Sequence, residues 1–477
     1  MIDQAIRFCQ FSFSVNIYLL IGYVVLIPAL LYVCATEYVR SSARIKGLPG
    51  PRGFPLVGNI PQIRVNAAEQ YRKWALQFGP VYQIMLGNVP VVVINSAKAA
   101  KDIFSANSQA LSSRPEFYTF HKIVSSTAGL TIGTTPFSES LKRRRKTAAS
   151  ALNRPSVMTY TQHIDIESRS FVRECLEQGA AGKKGVDPRA MAQRLSLSLA
   201  LTLNWGIRVE SQDDELFGEI THVEQELSGF RSTTGNLQDY IPILRLNPFH
   251  FGNAKAREMR NRRDIYLNDD LEARMEKGLD KPCIQANVLR DKDAKLSREE
   301  LISISLTMLN AGLDTLATLL TWSVALLASR PDVQEEAYRA IREAYDQEKA
   351  GILCDAEDDQ SIPYIVAMIR EFLRYYSVLR LNLPRASVKD IFYNGVRIPA
   401  GSVFFLNAWA CNMDPEVWGA NDAFIFRPER WLEQPDAPIF SYGVGYRMCA
   451  GSLLANREMY TIFLRLISAF EIKGSHL

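Results

Sequence analysis

The cysteines of this chain show no pairing pattern. Seven are scattered through 477 residues, an odd number without close pairs or metal-ligand spacing, which excludes a disulfide framework and a zinc site of the usual kind. A reducing, cytosol-facing compartment fits. No internal repeat and no long low-complexity run occurs, so the chain is not a modular array, and its length and apolar content allow one large buried core. Excess charge of one sign is also small. A formal net charge of +4 is too little to imply a nucleic-acid partner, although it suits a protein resting on an anionic membrane surface. Between Phe8 and Thr36 charge is absent altogether, and Val15 to Ala35 is long enough to cross a bilayer as a helix. The run exceeds a signal-peptide core and ends in no clear small-x-small cleavage site, so it reads as a retained anchor. Pro28 can kink that helix without preventing insertion. Arg40, Arg44 and Lys46 follow closely and place what comes next on the cytosolic side. The expected organisation is a membrane anchor and flank at 1–46, a stiff hinge at 47–61 opened by the Pro/Gly-rich stretch Gly47 to Pro55, and one large domain at 62–477.

Val81–Leu86 and Val89–Ile94, joined by Gly87-Asn88, read as a strand pair with a tight turn. A second strand region runs from Ile391 to Leu406, turning at Asn394-Gly395 and breaking at Pro399-Ala-Gly401. Elsewhere the apolar spacing is mostly helical. The stretch with the most chemistry is Phe440-Ser-Tyr-Gly-Val-Gly-Tyr-Arg-Met-Cys-Ala-Gly451. It sets Cys449 between Gly443, Gly445 and Gly451, whose missing Cβ atoms permit turns closed to other residues and a close approach to a flat ligand. Apolar residues at helical spacing follow from Ala450 to Phe470, so Cys449 opens a helix. Backbone N–H groups and the helix dipole there favour a thiolate. A buried free cysteine on a glycine-rich turn is the plain alternative.

Spacing points to more than that. The segment Tyr442-Gly443-x-Gly445-x-Arg447-x-Cys449-x-Gly451 resembles the haem-binding loop of the cytochrome P-450 family, with Tyr442 where that family usually has Phe. The resemblance implies a mainly α fold with small β-sheets behind a single N-terminal transmembrane helix. It also implies haem b, with Cys449 as the proximal thiolate on iron and Arg447 paired to a propionate. Lys142-Arg-Arg-Arg-Lys146 is, read alone, a solvated basic helix face. Its register is similar to the family's Trp-x-x-x-Arg helix, Leu141 replacing Trp, which directs Arg145 at a propionate and leaves its basic neighbours outside to attract an acidic electron donor. Arg385, after Leu383-Pro384, matches a further propionate-binding arginine.

Ala311-Gly-Leu-Asp-Thr315 lies inside an apolar helix spanning Leu301 to Leu327. Asp and Thr are unfavourable in a buried helix, and Gly312 costs about 1 kcal/mol relative to Ala. One reading is a surface Asp and a Thr bonding back to its own carbonyls. The other follows from similarity to the family's oxygen-activating motif: the helix opens beside the haem, Thr315 delivers a proton there, and Asp314 relays protons from solvent. Leu316 stands where a second hydroxyl is common. Glu371 and Arg374 share a helix face and, with Arg430 of Phe426-Arg-Pro-Glu-Arg-Trp431, resemble the family's structural Glu-Arg-Arg cluster.

These matches run in order along nearly the whole chain, and they imply monooxygenation with O2 and electrons from NADPH through a cytochrome reductase, at the endoplasmic reticulum membrane. Ser112 to His121, Gly229 to Tyr240 and Cys449 to Glu458 resemble the fungal phenylacetate and hydroxyphenylacetate hydroxylases. Ring hydroxylation of a small aromatic substrate, an aryl acid, is the implied reaction. Such a substrate needs an aromatic wall, for which Phe117, Tyr118 and Phe120 are candidates, and a cation, for which His121, Arg231 and Arg380 are candidates. A tailoring hydroxylase acting on a larger aromatic intermediate of fungal secondary metabolism is the alternative. A haem-thiolate isomerase or dehydratase, or a non-catalytic haem protein, has little use for Asp314 and Thr315. Only 28 residues follow Cys449, too few for the strand hairpin that usually closes this family's pocket.

Overall fold

The computed structural model describes residues 22–127, 129–232, 235–247, 251–271, 283–284, 295–345 and 354–474. The first part of the apolar N-terminal run and the last three residues lie outside them.

A π turn at Gly22–Leu26 leads into α1 (Ile27–Ala43). Val24, Val25, Leu26, Leu30 and Leu31 are exposed there. An apolar helix whose side chains find no protein core suits a lipid surround, and at 22 residues it is long enough to cross a bilayer. The Pro/Gly stretch that follows is fastened to the domain. The Gln83 side chain accepts from Ile45 N at 2.9 Å and donates to the carbonyls of Ile45 and Leu48 at 2.8 and 2.5 Å.

β1 (Val81–Leu86) and β2 (Val89–Ile94) pair antiparallel, and β2 then pairs parallel with β6 (Val403–Leu406), which carries β3 (Arg385–Ala386) on its far edge. β4 (Ile391–Tyr393) and β5 (Val396–Ile398) form a separate hairpin. Asn394 and Gly395 both take positive φ, +48° and +79°, as a two-residue turn matching the strand twist requires. The hairpins follow from local alternation and turn residues. The β2–β6 pairing joins segments some three hundred residues apart and has no local signature.

Helices form the rest: α2 (Ala67–Phe78), α3 (Glu139–Ala151), α4 (Thr161–Gln178), α5 (Pro188–Trp205), α6 (Glu215–Phe230), α7 (Phe251–Ile265), α8 (Arg298–Ala328), α9 (Pro331–Ala344), α10 (Pro363–Tyr376) and α11 (Ser452–Ala469). α8 is the axis. Ser297 and Glu300 cap its start reciprocally, satisfying two otherwise orphaned donors. Leu316, Leu319 and Leu320 pack with Leu195 and Leu199 of α5, Met368 and Phe372 of α10, and Phe463 of α11. Gly312 lies where a Cβ would come within 3.2 Å of the Ala200 Cβ, so its small size lets α8 and α5 approach closely.

Candidate active site

One face of α8 stays open while the others are core. Ala311, Thr315, Thr318 and Trp322 follow one another at steps of four, three and four, and all are at least partly accessible, whereas Leu313, Leu316, Ala317, Leu319 and Leu320 are buried. The helix is continuous through this stretch, with Thr315 Oγ1 donating to the Ala311 carbonyl at 2.6 Å. Asp314 bonds to Ser228 at the end of α6; burial raises its carboxyl above the usual range, and the nearby Arg231 charge opposes the shift.

The cysteine loop lies against the same helix, Ala450 packing with Leu301, Ile304 and Met308. Its turn is closed by bonds from Gly443 N to Phe440 O (2.9 Å) and from Cys449 N to Tyr442 O (2.8 Å). Gly443 and Gly445 take φ of +75° and +67°, and a Cβ on Gly445 would come within 2.7 Å of the Phe104 carbonyl oxygen. Glycine is therefore required at Gly445 by the protein's own packing, and Gly451 has open space around it. Tyr442 adds a hydrogen bond that phenylalanine lacks, donating to Asn456 Oδ1 at 2.6 Å. Cys449 precedes α11 by three residues and is exposed, yet enough protein surrounds it for burial to raise its thiol above the ordinary value. A backbone bond from Gly451 and the Arg145 charge pull the other way. The helix-start argument alone predicted a depressed thiol; the surrounding apolar mass outweighs it. A thiol that is accessible yet surrounded by protein is placed to take a ligand.

Four arginines lie at or beside this loop. Arg145 donates to the Met448 carbonyl at 3.2 Å and lies over the Tyr446 ring. Arg385 donates to Val444 O at 2.8 Å and stacks on Phe104. Arg447 reaches the carbonyls of Ile132, Gly133 and Thr135 at 2.9 to 3.1 Å. Arg114, which sequence reasoning quoted within a resembling stretch but did not single out, donates to Gly133 O and Pro384 O at 2.8 and 2.6 Å. Burial first, and then one another's positive charge, holds Arg114, Arg385 and Arg447 below the usual arginine range. None of the four has a carboxylate within ion-pair distance among the described residues, and Arg447 Nε is buried without a partner. Cations gathered without counter-charge fit an anionic ligand edge. A thiol beside four unneutralised guanidinium groups matches the two ends of haem, an iron that takes a thiolate and a rim bearing two carboxylates. Of the basic run on α3, Arg144 is buried rather than on the outer surface, bonded to the carbonyls of Leu130 and Ser140. Lys142, Arg143 and Lys146 do face outward.

A second charge cluster supports the loop from behind. Arg374 Nε and Nη2 both donate to Glu371 at 2.7 Å, Arg430 Nε reaches it at 3.2 Å, and Trp431 Nε1 and the Arg427 amide each donate to it at 2.9 Å. Arg374 also donates to Asn412 O, Asn412 Oδ1 accepts from Phe440 N, and Asn412 Nδ2 donates to Ser441 Oγ. Asn412 thus transmits the cluster's rigidity to the start of the cysteine loop. No sequence spacing announced it.

The proposed substrate contacts divide. Phe117 meets Tyr240 edge-on, Tyr118 lies under Arg245, and the buried Phe120 lies under Arg231. Thr119 accepts from Gln238 and donates its amide to Asp239. Two stretches noticed separately in the sequence, near 112–121 and 229–240, therefore pack on each other beside α8. His121 is occupied by backbone, its Nδ1 accepting from Phe117 N and its Nε2 facing Thr134 O. Arg380 is exposed and stacks on Trp409, and the structure does not bring it to the others.

Residues 48–476 match the family model for cytochrome P450. The chain is 66% identical over 447 residues, 93% of its length and 86% of the relative's, to a 3-hydroxyphenylacetate 6-hydroxylase of Emericella nidulans. It is 45% identical over 437 residues, 90% of this chain and 83% of the other, to a phenylacetate 2-hydroxylase of the same fungus. A cytochrome P450 monooxygenase of Mycosarcoma maydis is 40% identical over 441 residues, 89% and 81% of the two chains. With its mostly helical fold and an open cysteine in the matching loop, this chain belongs to the cytochrome P450 family, monooxygenases that use haem iron, O2 and electrons from a reductase.

Proposed function

We propose that this chain hydroxylates the aromatic ring of a small aryl acid of the phenylacetate type, with haem held by Cys449 and by Arg114, Arg145, Arg385 and Arg447. The observation that carries the haem site is an open thiol on a loop flanked by four arginines that have no carboxylate partner among the described residues. The substrate class is supported by similarity to two fungal hydroxylases of that type. Haem, once bound, supplies the oxidation: one atom of O2 enters the ring as hydroxyl, the other leaves as water, and two electrons are consumed.

The protein's own part is position, protons and dryness. Cys449 would hold the haem iron as thiolate, which requires the thiol to lose its proton on binding. Thr315 shares its hydroxyl proton with the Ala311 carbonyl and can turn it toward the open face of α8. Asp314, raised by burial, holds a proton more readily than an exposed aspartate and can replenish the hydroxyl. Phe117, Tyr118 and Phe120 line the approach with apolar surface. The Glu371, Arg374 and Arg430 cluster holds the loop rigid without touching substrate. We place the domain on the cytosolic side of the endoplasmic reticulum membrane, single-pass through α1 and the residues before it, with NADPH as the electron source through a cytochrome reductase. Arg40, Arg44 and Lys46 beside the apolar helix support that orientation.

The test is turnover of the full chain in membranes with its reductase. Phenylacetate and 3-hydroxyphenylacetate should each be depleted with NADPH and O2, giving products heavier by one oxygen. Absence of any ring-hydroxylated product from either acid, with haem incorporated, would overturn the substrate class. Thr315→Ala should consume NADPH while forming far less hydroxylated product; unaltered coupling would remove Thr315 from its role.

A further inference from the structure

Most buried cations elsewhere in the fold meet an acid, whereas Arg144 bonds to the carbonyls of Leu130 and Ser140. Arg194 meets Glu167 and Glu174, Arg374 and Arg430 meet Glu371, and Arg465 meets Asp165. The haem-site arginines are fastened to backbone carbonyls and face a cofactor. Arg231 is neither. It caps the C-terminal end of α6, its Nη2 is buried, and its guanidinium has no hydrogen bond or ion pair within 4 Å among the described residues. The Phe120 ring lies 6.0 Å from the guanidinium carbon.

Two acids lie nearby, but each has another partner. Glu224, one per cent exposed, accepts from the Tyr266 hydroxyl at 2.5 Å, and Asp314 is bonded to Ser228. Neither makes a hydrogen bond or ion pair with Arg231 among the described residues, although Glu224 Oε2 is buried without a partner; burial raises both carboxyls, and the Arg231 charge opposes that shift. The outcome is an unpaired cation between the aromatic lid at Phe120 and the acid that precedes Thr315. Arg231 is half-buried, and a guanidinium nitrogen buried without a partner, as its Nη2 is, is costly unless a ligand completes it. Stacking on a ring fixes the plane of the fork and leaves its N–H edge for a planar acceptor.

We infer that Arg231 is the anchor for the substrate carboxylate, binding it through Nη2 at the edge of its fork while Phe120 braces the guanidinium. This rests on the aryl-acid reading above and chooses among the three cations that the sequence offered. His121 is spent on backbone, and Arg380 stands on the outer surface over Trp409. Arg231 alone has bonding capacity to spare on the α8 side.

The test uses the full-length, haem-loaded protein and two probes of equal shape, phenylacetate and phenylacetamide, titrated by the shift of the ferric haem spectrum and by equilibrium dialysis. The wild type should prefer the acid by at least about tenfold, the scale of one charge-assisted hydrogen bond in a buried site. Arg231→Met should abolish that preference by weakening acid binding while leaving the amide within about threefold, and Arg231→Lys should restore part of it. Arg380→Met should alter neither. Equal loss of acid and amide in Arg231→Met would make Arg231 a packing residue and overturn the inference. Acid binding unchanged in that variant would also overturn it while leaving the substrate class intact. Failure of the wild type to bind any aryl acetate would sink the substrate class itself. Should the Met variant not retain haem, the wild-type preference still decides: acid and amide bound equally contradict a cationic anchor.

Discussion

Two arginine clusters lie within one fold and obey opposite rules. Around Glu371 every guanidinium edge meets a carboxylate or a carbonyl, and Glu371, Arg374 and Arg430 are at most one per cent exposed. Around Cys449, Arg114, Arg385 and Arg447 are also nearly buried but repel one another, with no acid among them. The first cluster is complete within the chain. The second is complete only with an anion, and the difference separates a part that holds the fold from a part that holds a ligand.

The comparison breaks most visibly at Glu371. Glu371→Ala leaves Arg374 buried without its counter-charge and Arg430 with Asp422 alone, and should cost about 3 to 5 kcal/mol. Thermal unfolding of the haem-loaded protein measures it, and a loss under about 1 kcal/mol would show that the cluster is not structural.

Glu458 is the mirror case, a buried acid with no cation beside it among the described residues. Burial alone pushes it from 4.5 up to about 8. The folded state therefore holds its proton across a range in which the unfolded chain has lost it. Its contribution to stability is full below pH 4.5 and is lost as pH rises through about 8. Over that window the loss is a few kcal/mol. Glu458→Gln should flatten the curve, so that the variant is no less stable than wild type at pH 8. An unchanged pH profile would show that Glu458 ionises freely in the fold.

Arg385→Met sharpens the contrast. Losing one cation of the cofactor cluster should weaken haem retention by about tenfold, measured by transfer to a haem-accepting globin. With haem removed, the variant's denaturation midpoint should equal or exceed the wild type's, because repulsion has been relieved. A lower midpoint would place Arg385 with the structural arginines. The smallest effect belongs to Tyr442→Phe, which loses the bond to Asn456 and should cost about 1 kcal/mol without displacing haem.

Much of this was legible in the sequence because it is local. Gly87-Asn88 and Asn394-Gly395 mark hairpins through backbone conformations that few residues adopt, and the Cys449 loop carries its glycines and arginine within ten positions. What was not legible depends on contacts between distant segments. β2 meets β6, Asn412 joins Arg374 to the loop, and Gly312 is set against Ala200, all through packing that no spacing encodes. Arg114 was hidden differently: it lies in Ser112-Ser-Arg-Pro115, and only the fold shows that it sits within reach of the charges of Arg385 and Arg447. The three candidate carboxylate anchors looked alike in sequence, and burial and partners distinguish them.

The most direct measurement is the carbon-monoxide difference spectrum of the reduced full-length protein, alongside Cys449→Ala. The wild type should show the long-wavelength Soret band of a thiolate-bound ferrous carbonyl, and the variant should lose it. A band at the shorter wavelength of a nitrogen-ligated haem, or a long-wavelength band that survives Cys449→Ala, would contradict the assignment of Cys449 as the ligand on which the site is built.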